Sequence, residues 1–224
     1  MKHTLFRNAS YVMGILFLFL GGGMYGITKA IQAGLLAIPE SVVWICFTAV
    51  LVFVGLMNGK MISILHQWAY RDFLTGVWNR KYFTYQIKKE MTGKKQTKQS
   101  LCLALIDLDN FKRVNDTYGH SVGDKVIKQV AKVLMTNVRC TDSVVRLGGD
   151  EFAIIFPETE IRKAKVISER IRKMVDTHSE YVTVSVGLVE INDTINVLEV
   201  MDFVDSVLYK AKLSKNAVIT MEAG

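Results

Sequence analysis

The sequence predicts an α/β domain carried behind two membrane-spanning helices, and three observations predict it. Between Asn8 and Gly59 only Lys29 and Glu40 are charged, whereas the rest of the 224-residue chain is densely charged. Beyond residue 72, apolar residues recur alternately at helical and at strand spacing. The length suits one domain of ordinary size plus something small.

The anchor comes first. Tyr11 to Ile27 is apolar or glycine throughout, and Val42 to Met57 carries only Thr48 as a polar residue. Each stretch approaches the roughly 20 residues that a helix needs to cross about 30 Å of hydrocarbon. Pro39, Glu40 and Ser41 separate them, so spans at about 11–28 and 42–57 are expected within an anchor of residues 1–57. Lys2 and Arg7 are compatible with a cleaved signal peptide, but the long apolar run and the second one close behind favour a span. A buried hairpin of a soluble protein is disfavoured by the near absence of charge. Basic residues flank the outer ends (Lys2, Arg7; then Lys60, Arg71, Arg80, Lys81), while the intervening loop has only Lys29. The excess of positive charge places both termini in the cytoplasm, as in a multi-pass protein of the inner (cytoplasmic) membrane. The loop between the spans, residues 29–41, is too short for a sensory domain.

Residues 58–71 read as a linker helix with Met61, Leu65 and Trp68 at helical spacing. From residue 72 the elements alternate. A helix after Asn79 runs toward Met91, and TGKKQTKQ, with Lys94, Lys95 and Lys98, reads as a solvated loop. An apolar strand follows at Leu101–Ile106. Ser121 to Val138 is amphipathic, with apolar residues at 122, 126, 127, 130, 133 and 134. Val144 to Phe156 makes a hairpin around a glycine turn. A helix at Thr159–Val175, a strand at Tyr181–Ile191 and a helix at Val197–Leu213 complete the series. Gly187, inside a strand, marks a bulge or a close approach.

The chemistry gathers in two acidic clusters. Arg146 to Phe156 reads RLGGDEFAIIF, a glycine pair followed by two carboxylates at the mouth of a strand. Such a turn can hold a hard divalent cation against phosphates, though by itself it is equally an ordinary acidic β-turn. About 40 residues upstream, ALIDLDNFKRVNDTYGHSVGD puts Asp107 where a strand gives way to a loop. Asp107 and Asp109 would share a face on a continuing strand. Calcium binding by an EF-hand-type loop is excluded, because Phe111 and Lys112 stand where that loop needs an oxygen ligand and a glycine.

Taken together, these clusters resemble the diguanylate cyclase (GGDEF-domain) family. The signature is Gly148, Gly149, Asp150, Glu151 and Phe152. The family's D-x-L-T-G-L-x-N-R segment is matched by Asp72 to Arg80, DFLTGVWNR. Its D-x-D-x-F-K-x-x-N-D-x-x-G-H-x-x-G-D pattern is matched without a gap by Asp107 to Asp124. The likeness covers roughly residues 70–220, within a catalytic domain of residues 72–224.

The resemblance implies a palm-like α/β sandwich with a mainly antiparallel central sheet. It implies condensation of two GTP into cyclic di-GMP with release of two pyrophosphates, assisted by Mg2+ or Mn2+, two ions per active site. Each subunit would hold one GTP, so catalysis calls for a homodimer. Asp107, Asp150 and the Leu108 carbonyl match metal ligands, and Glu151 matches a carboxylate with a metal or proton-transfer role. Asn115 and Asp124 match the guanine-reading positions, where an amide and a carboxylate can pair with the base edge. A carboxylate facing N1–H and N2–H would be left unsatisfied by adenine. Lys112, with the amides around Asn110 and Phe111, would sit on the β- and γ-phosphates. For Asp109 a structural turn role is preferred. Arg139 and Asp142 match an R-x-x-D product-binding site that inhibits turnover; their alternative is a surface ion pair.

One segment departs from the family. Its Y-x-A-K-x-x-G-R-N ending is here YKAKLSKN, Tyr209 to Asn216. Lys212 carries over as a phosphate ligand, and Lys215 replaces or displaces the arginine as though a residue were missing. A lysine offers a point charge rather than a fork.

The formal charge of +7 is as well explained by attraction to anionic membrane lipid as by nucleic acid. No aromatic platform accompanies the basic residues, so nucleic-acid binding is not expected. Cys46, Cys102 and Cys140 show no disulfide or metal spacing. The competing class is a non-catalytic cyclic di-GMP receptor or adaptor using Arg139 and Asp142; Asp107, Asp150 and Glu151 argue against it.

Overall fold

The computed structural model describes residues 21–35, 39–97, 99–191 and 196–222. The chain divides into two compact units, Met1–His66 and Gln67–Gly224.

In the first unit, residues 21–32 form a helix, α1. Most of the first expected span, residues 11–20, lies outside the described residues. A second helix, α2, runs from Glu40 to Tyr70. Its Ser41–Gly59 stretch is the one helix among the described residues long and apolar enough to cross a membrane. Trp44, Ile45, Phe53 and Leu56 stand exposed along it. The expected span and the expected linker helix are one continuous helix. The helix continues because its polar residues satisfy themselves: Thr48 Oγ1 donates to Trp44 O (2.8 Å) and Asn58 Nδ2 to Val54 O (2.8 Å).

The second unit is a three-layer sandwich. Its strands are β1 (Trp78–Asn79), β2 (Leu101–Leu108), β3 (Ser143–Gly148), β4 (Glu151–Pro157), β5 (Val184–Glu190) and β6 (Val218–Glu222). They form one sheet in the order β1-β3-β4-β2-β5-β6. The four inner strands pair antiparallel, while β1 on β3 and β6 on β5 are parallel, so the sheet is mixed. Helices α4 (Phe111–Tyr118), α5 (His120–Thr136) and α6 (Ile161–His178) cover one face; α3 (Arg80–Thr97) and α7 (Val197–Ser214) cover the other.

Strand β2 shows why the sheet sits between two layers. All eight of its residues are buried. Cys102, Ala104, Ile106 and Leu108 pack toward α4–α6, whereas Leu101, Leu103 and Leu105 pack toward α3 and α7. A strand covered on both faces reads as a continuous apolar run rather than an alternation. By the same two-residue period, Asp107 belongs to the α3/α7 face.

Several expectations need correcting. Helix α3 continues to Thr97, so Lys94 and Lys95 lie on its last turns and not in a loop. Helix α4 and strand β6 were not anticipated. The strand expected from Tyr181 begins at Val184. Gly187 marks close approach and no bulge: its pairing is regular on both sides, and a Cβ there would lie 2.4 Å from the Leu208 amide nitrogen. Helix α7 is therefore seated directly on β5. Its start is fixed by Asn196, whose side chain accepts from the Leu198 and Glu199 amides while Glu199 answers with a bond to the Asn196 amide. Such a capping box is worth about 1 kcal/mol.

Candidate functional site

The two acidic clusters meet at one end of the sheet. Asp107, at the end of β2, is the register partner of Glu151, the first residue of β4. Asp150 occupies the turn before β4, and its carbonyl accepts from the Leu108 amide at 3.4 Å. Gly149 takes φ +41°, a conformation that glycine adopts without strain. Asp107, Leu108, Asp150 and Glu151 are thus brought together from segments far apart in sequence.

Helix α7 delivers the countercharge. Lys212 Nζ lies 2.7 Å from Asp107 Oδ2; the two side chains are 41% and 11% exposed. Burial raises the Asp107 carboxyl above the usual carboxylate range, Lys212 opposes the shift, and the charges of Asp150 and Glu151 add to it. Burial alone would lower the Lys212 ammonium. Its bond to Asp107 and the charges of Asp107, Glu151 and Asp150 outweigh that and hold it above its ordinary value.

Beside them the β2–α4 turn is fixed by Asp109. Its Oδ1 accepts from Ser185 Oγ (2.7 Å), and its Oδ2 accepts from Thr183 Oγ1 (2.6 Å) and the Asn216 amide (2.9 Å). Asp109 is a structural hub, in line with the turn role preferred for it. Asn110 then adopts the left-handed conformation (φ 57°), which asparagine tolerates better than most residues. Phe111 is buried beneath α4 and Lys112 is exposed on it. Lys215 Nζ donates to Asn110 Oδ1 at 2.9 Å.

Lys215 itself takes φ 51° and Asn216 φ 43°. Counting from Tyr209, Lys215 stands where the family motif has glycine, and the left-handed backbone agrees. No residue is missing, and Asn216 rather than Lys215 stands in the arginine's place. Asn216 turns its side chain to α6, accepting from Arg172 Nη1 (2.8 Å) and donating to Asp176 (3.2 Å).

Asn115 packs against Gly123, the residue before Asp124. A Cβ on Gly123 would lie 2.0 Å from Asn115 Oδ1, so glycine lets the Asn115 side chain rest against α5 where a larger residue would make it shift. Asp124 also borders a cleft of about 350 Å³ that includes Asp72, Leu74, Arg80, Arg146 and Gly148. Arg146 spans one wall of it. Its Nη1 donates to Asp72 Oδ1 (3.0 Å), and its Nε and Nη2 donate to the Gly149 carbonyl (3.0 and 2.7 Å). Burial alone would raise Asp72, but hydrogen bonds from Thr75 and Arg146 hold its carboxyl below the usual range. Sequence reasoning gave neither residue a role. Each opens a recognised motif, and 74 residues separate them.

Arg139 and Asp142 stand apart, before β3, at the opposite end of the β3–β4 hairpin from the glycine turn. The bond between them comes from the Arg139 main chain: its amide donates to Asp142 Oδ2 at 2.8 Å. Asp142 Oδ1 is buried and accepts no hydrogen bond. Burial pushes the Asp142 carboxyl up, against the Arg139 amide and charge.

Among the described residues no three His, Cys, Asp or Glu side chains form a ready-made cage for a metal ion. Asp107, Asp150 and Glu151, which share one sheet end, offer oxygen donors only. A hard cation such as Mg2+ or Mn2+ fits that donor set better than a soft one.

Sheet order and acidic edge together define a class: α/β domains with carboxylates at one end of a mixed six-stranded sheet. Within that class the chain belongs to the diguanylate cyclase, GGDEF domain family, whose profile it matches over residues 69–217. It is 34% identical over 163 residues to "Diguanylate cyclase DgcS" of Shewanella oneidensis, covering 71% of this chain and 55% of that protein. It is 37% identical over 164 residues to "Response regulator PleD" of Caulobacter vibrioides, covering 67% of this chain and 36% of that protein. Among solved structures, the GGDEF domain of DgcB from Caulobacter crescentus in complex with c-di-GMP superposes with a TM-score of 0.65 at 33% identity. That match covers 68% of this chain and 93% of the DgcB domain. The chain thus spans about a third to a half of the length of these two curated relatives.

Proposed function

We propose that this chain is an active, membrane-tethered diguanylate cyclase that condenses two GTP into cyclic di-GMP and releases two pyrophosphates. The carrying observation is the convergence of Asp107, Asp150 and Glu151 beside Lys212 at one sheet end. A pure receptor has no need of that acidic edge. Homologues named as diguanylate cyclases support the reading.

Guanine would be read by Asn115, which packs against Gly123, and by Asp124, the next residue along α5. The phosphates would be received by the amides of Asn110 and Phe111, by Lys112 and by the amines of Lys212 and Lys215. Asp107, Asp150, Glu151 and the Leu108 carbonyl would hold Mg2+ or Mn2+, which supplies neutralisation of charge on the phosphoryl oxygens and departing pyrophosphate. Each subunit would bring one nucleotide, so the 3′-hydroxyl of one meets the α-phosphate of the other only where two subunits face.

Product would bind at Arg139 and Asp142. The unpartnered Asp142 Oδ1 supports a ligand role there, because a buried acceptor without a donor is otherwise costly. Tethering rests on the apolar Ser41–Gly59 stretch, together with the segment at 11–28 and the flanking basic residues.

Full-length protein in detergent with GTP and Mg2+ should release pyrophosphate at a rate rising faster than linearly with protein concentration. Asp150→Ala should abolish release with the melting temperature unchanged. Release by that variant at the wild-type rate would remove Asp150 from the site.

A further inference from the structure

The amine of Lys212 occupies an oxygen that the proposed cation needs. Its Nζ sits 2.7 Å from Asp107 Oδ2, a charge-assisted bond of full strength by its length. Asp107 itself is buried, and the register sets Glu151 directly across from it on β4. Without a countercharge, the buried Asp107 carboxylate would carry its charge with little water to relieve it. Lys212 is the countercharge α7 supplies, and its partly exposed side chain can leave.

We propose that Lys212 is an internal stand-in for a divalent cation: it neutralises Asp107 through Oδ2 and must leave that oxygen before such a cation binds there. This deepens the cyclase reading and rests on it. A cation bound through Oδ2 and an ammonium bonded to the same oxygen would be like charges a few ångströms apart, and they repel. The amine released by the cation is free to move to nucleotide phosphates. Conversely, phosphates that attract Lys212 uncover Asp107. Cation and nucleotide therefore bind with positive coupling, and linkage requires the coupling to act in both directions. An empty enzyme holds its metal weakly and takes it up with substrate.

Lys215 provides the internal control. It lies in the same neighbourhood but bonds Asn110, not a carboxylate. Removing it changes the local charge by the same amount without uncovering Asp107.

The test is Mn2+ binding to nucleotide-free, full-length protein in detergent, followed by loss of the free-ion electron paramagnetic resonance signal. Lys212→Met should tighten Mn2+ binding about three- to tenfold, Lys212→Gln should do the same, and Lys215→Met should change it less than twofold. Unaltered affinity in both Lys212 variants overturns the stand-in role, as does equal tightening by Lys215→Met, which reduces the effect to bulk charge. Asp107→Asn separates this inference from the reading beneath it. Loss of Mn2+ binding in Asp107→Asn with neutral Lys212 variants sinks only the stand-in. Mn2+ binding that Asp107→Asn leaves intact sinks the metal site itself.

Discussion

Replacing Arg146 with methionine removes the strut between the Asp72 loop and the glycine turn while keeping an unbranched stem in place. Three hydrogen bonds are lost, one to Asp72 and two to the Gly149 carbonyl. The Arg146 and Asp72 side chains are 11% and 14% exposed, so the weak, screened limit of surface ion pairs does not apply. A bond to a charged group is worth about 1.5–3 kcal/mol, and stranding one partner of a buried pair costs about 3–5 kcal/mol. With residual solvent contact, a loss of about 3 kcal/mol is expected, or roughly 6–12 °C in the melting temperature of the catalytic unit. The pH dependence has a definite sign. Asp72 titrates lower when folded, so its contribution is complete above the unfolded value near 3.9 and is lost as pH falls through the lower folded value. The stability gap between wild type and Arg146→Met should be constant from about pH 7 to pH 5 and narrow below about pH 4, to the part carried by the two Gly149 bonds. Urea titrations of residues 67–224 across that range would measure it. Equal midpoints at neutral pH, or a gap that persists undiminished into acid, would refute the strut.

Other outcomes follow from single contacts. Gly187→Ala would press a methyl onto the α7 backbone at Leu208 and should cost about 1–3 kcal/mol, read as a lower melting temperature; an unshifted melt would mean α7 is not seated as described. Burial pushes the Cys102 thiol up to about 12, with Glu190 adding to the shift and Lys94 opposing it, while Cys140 is exposed. Maleimide should therefore label Cys140 in the native catalytic unit and reach Cys102 only on unfolding, as peptide mapping would show. Arg139→Ala should relieve inhibition by added cyclic di-GMP without lowering the uninhibited rate; unchanged inhibition would demote that site.

Local pattern made part of the fold legible before any coordinates. The β2 run LCLALIDL is apolar because both faces are covered, and the glycine turn is contiguous with its acids, so one end of the site stood out. Helix α4 escaped notice because FKRVNDTY offers only Phe111 and Val114 to the core, too few for a periodicity. The last turns of α3 were misread for a related reason: GKKQT has charge and a glycine but no apolar stripe, and tertiary support for the helix comes from Phe83, Ile87 and Met91. Strand β6 is a short parallel edge, whose pairing with β5 no local signal announces.

The site's less visible half is held by contacts across long sequence separations. Asp72 with Arg146 and Asp107 with Lys212 join motifs that the sequence presents separately. The left-handed Lys215 and Asn216 hide a turn where a glycine would have advertised one.

Mass spectrometry of the nucleotide product from the 224-residue chain, GTP and Mg2+ tests the central claim most directly. The account predicts cyclic di-GMP in wild type and none in Asp107→Asn or Asp150→Ala. Unconsumed GTP at high protein concentration, with cyclic di-GMP binding retained, would contradict it and leave a receptor.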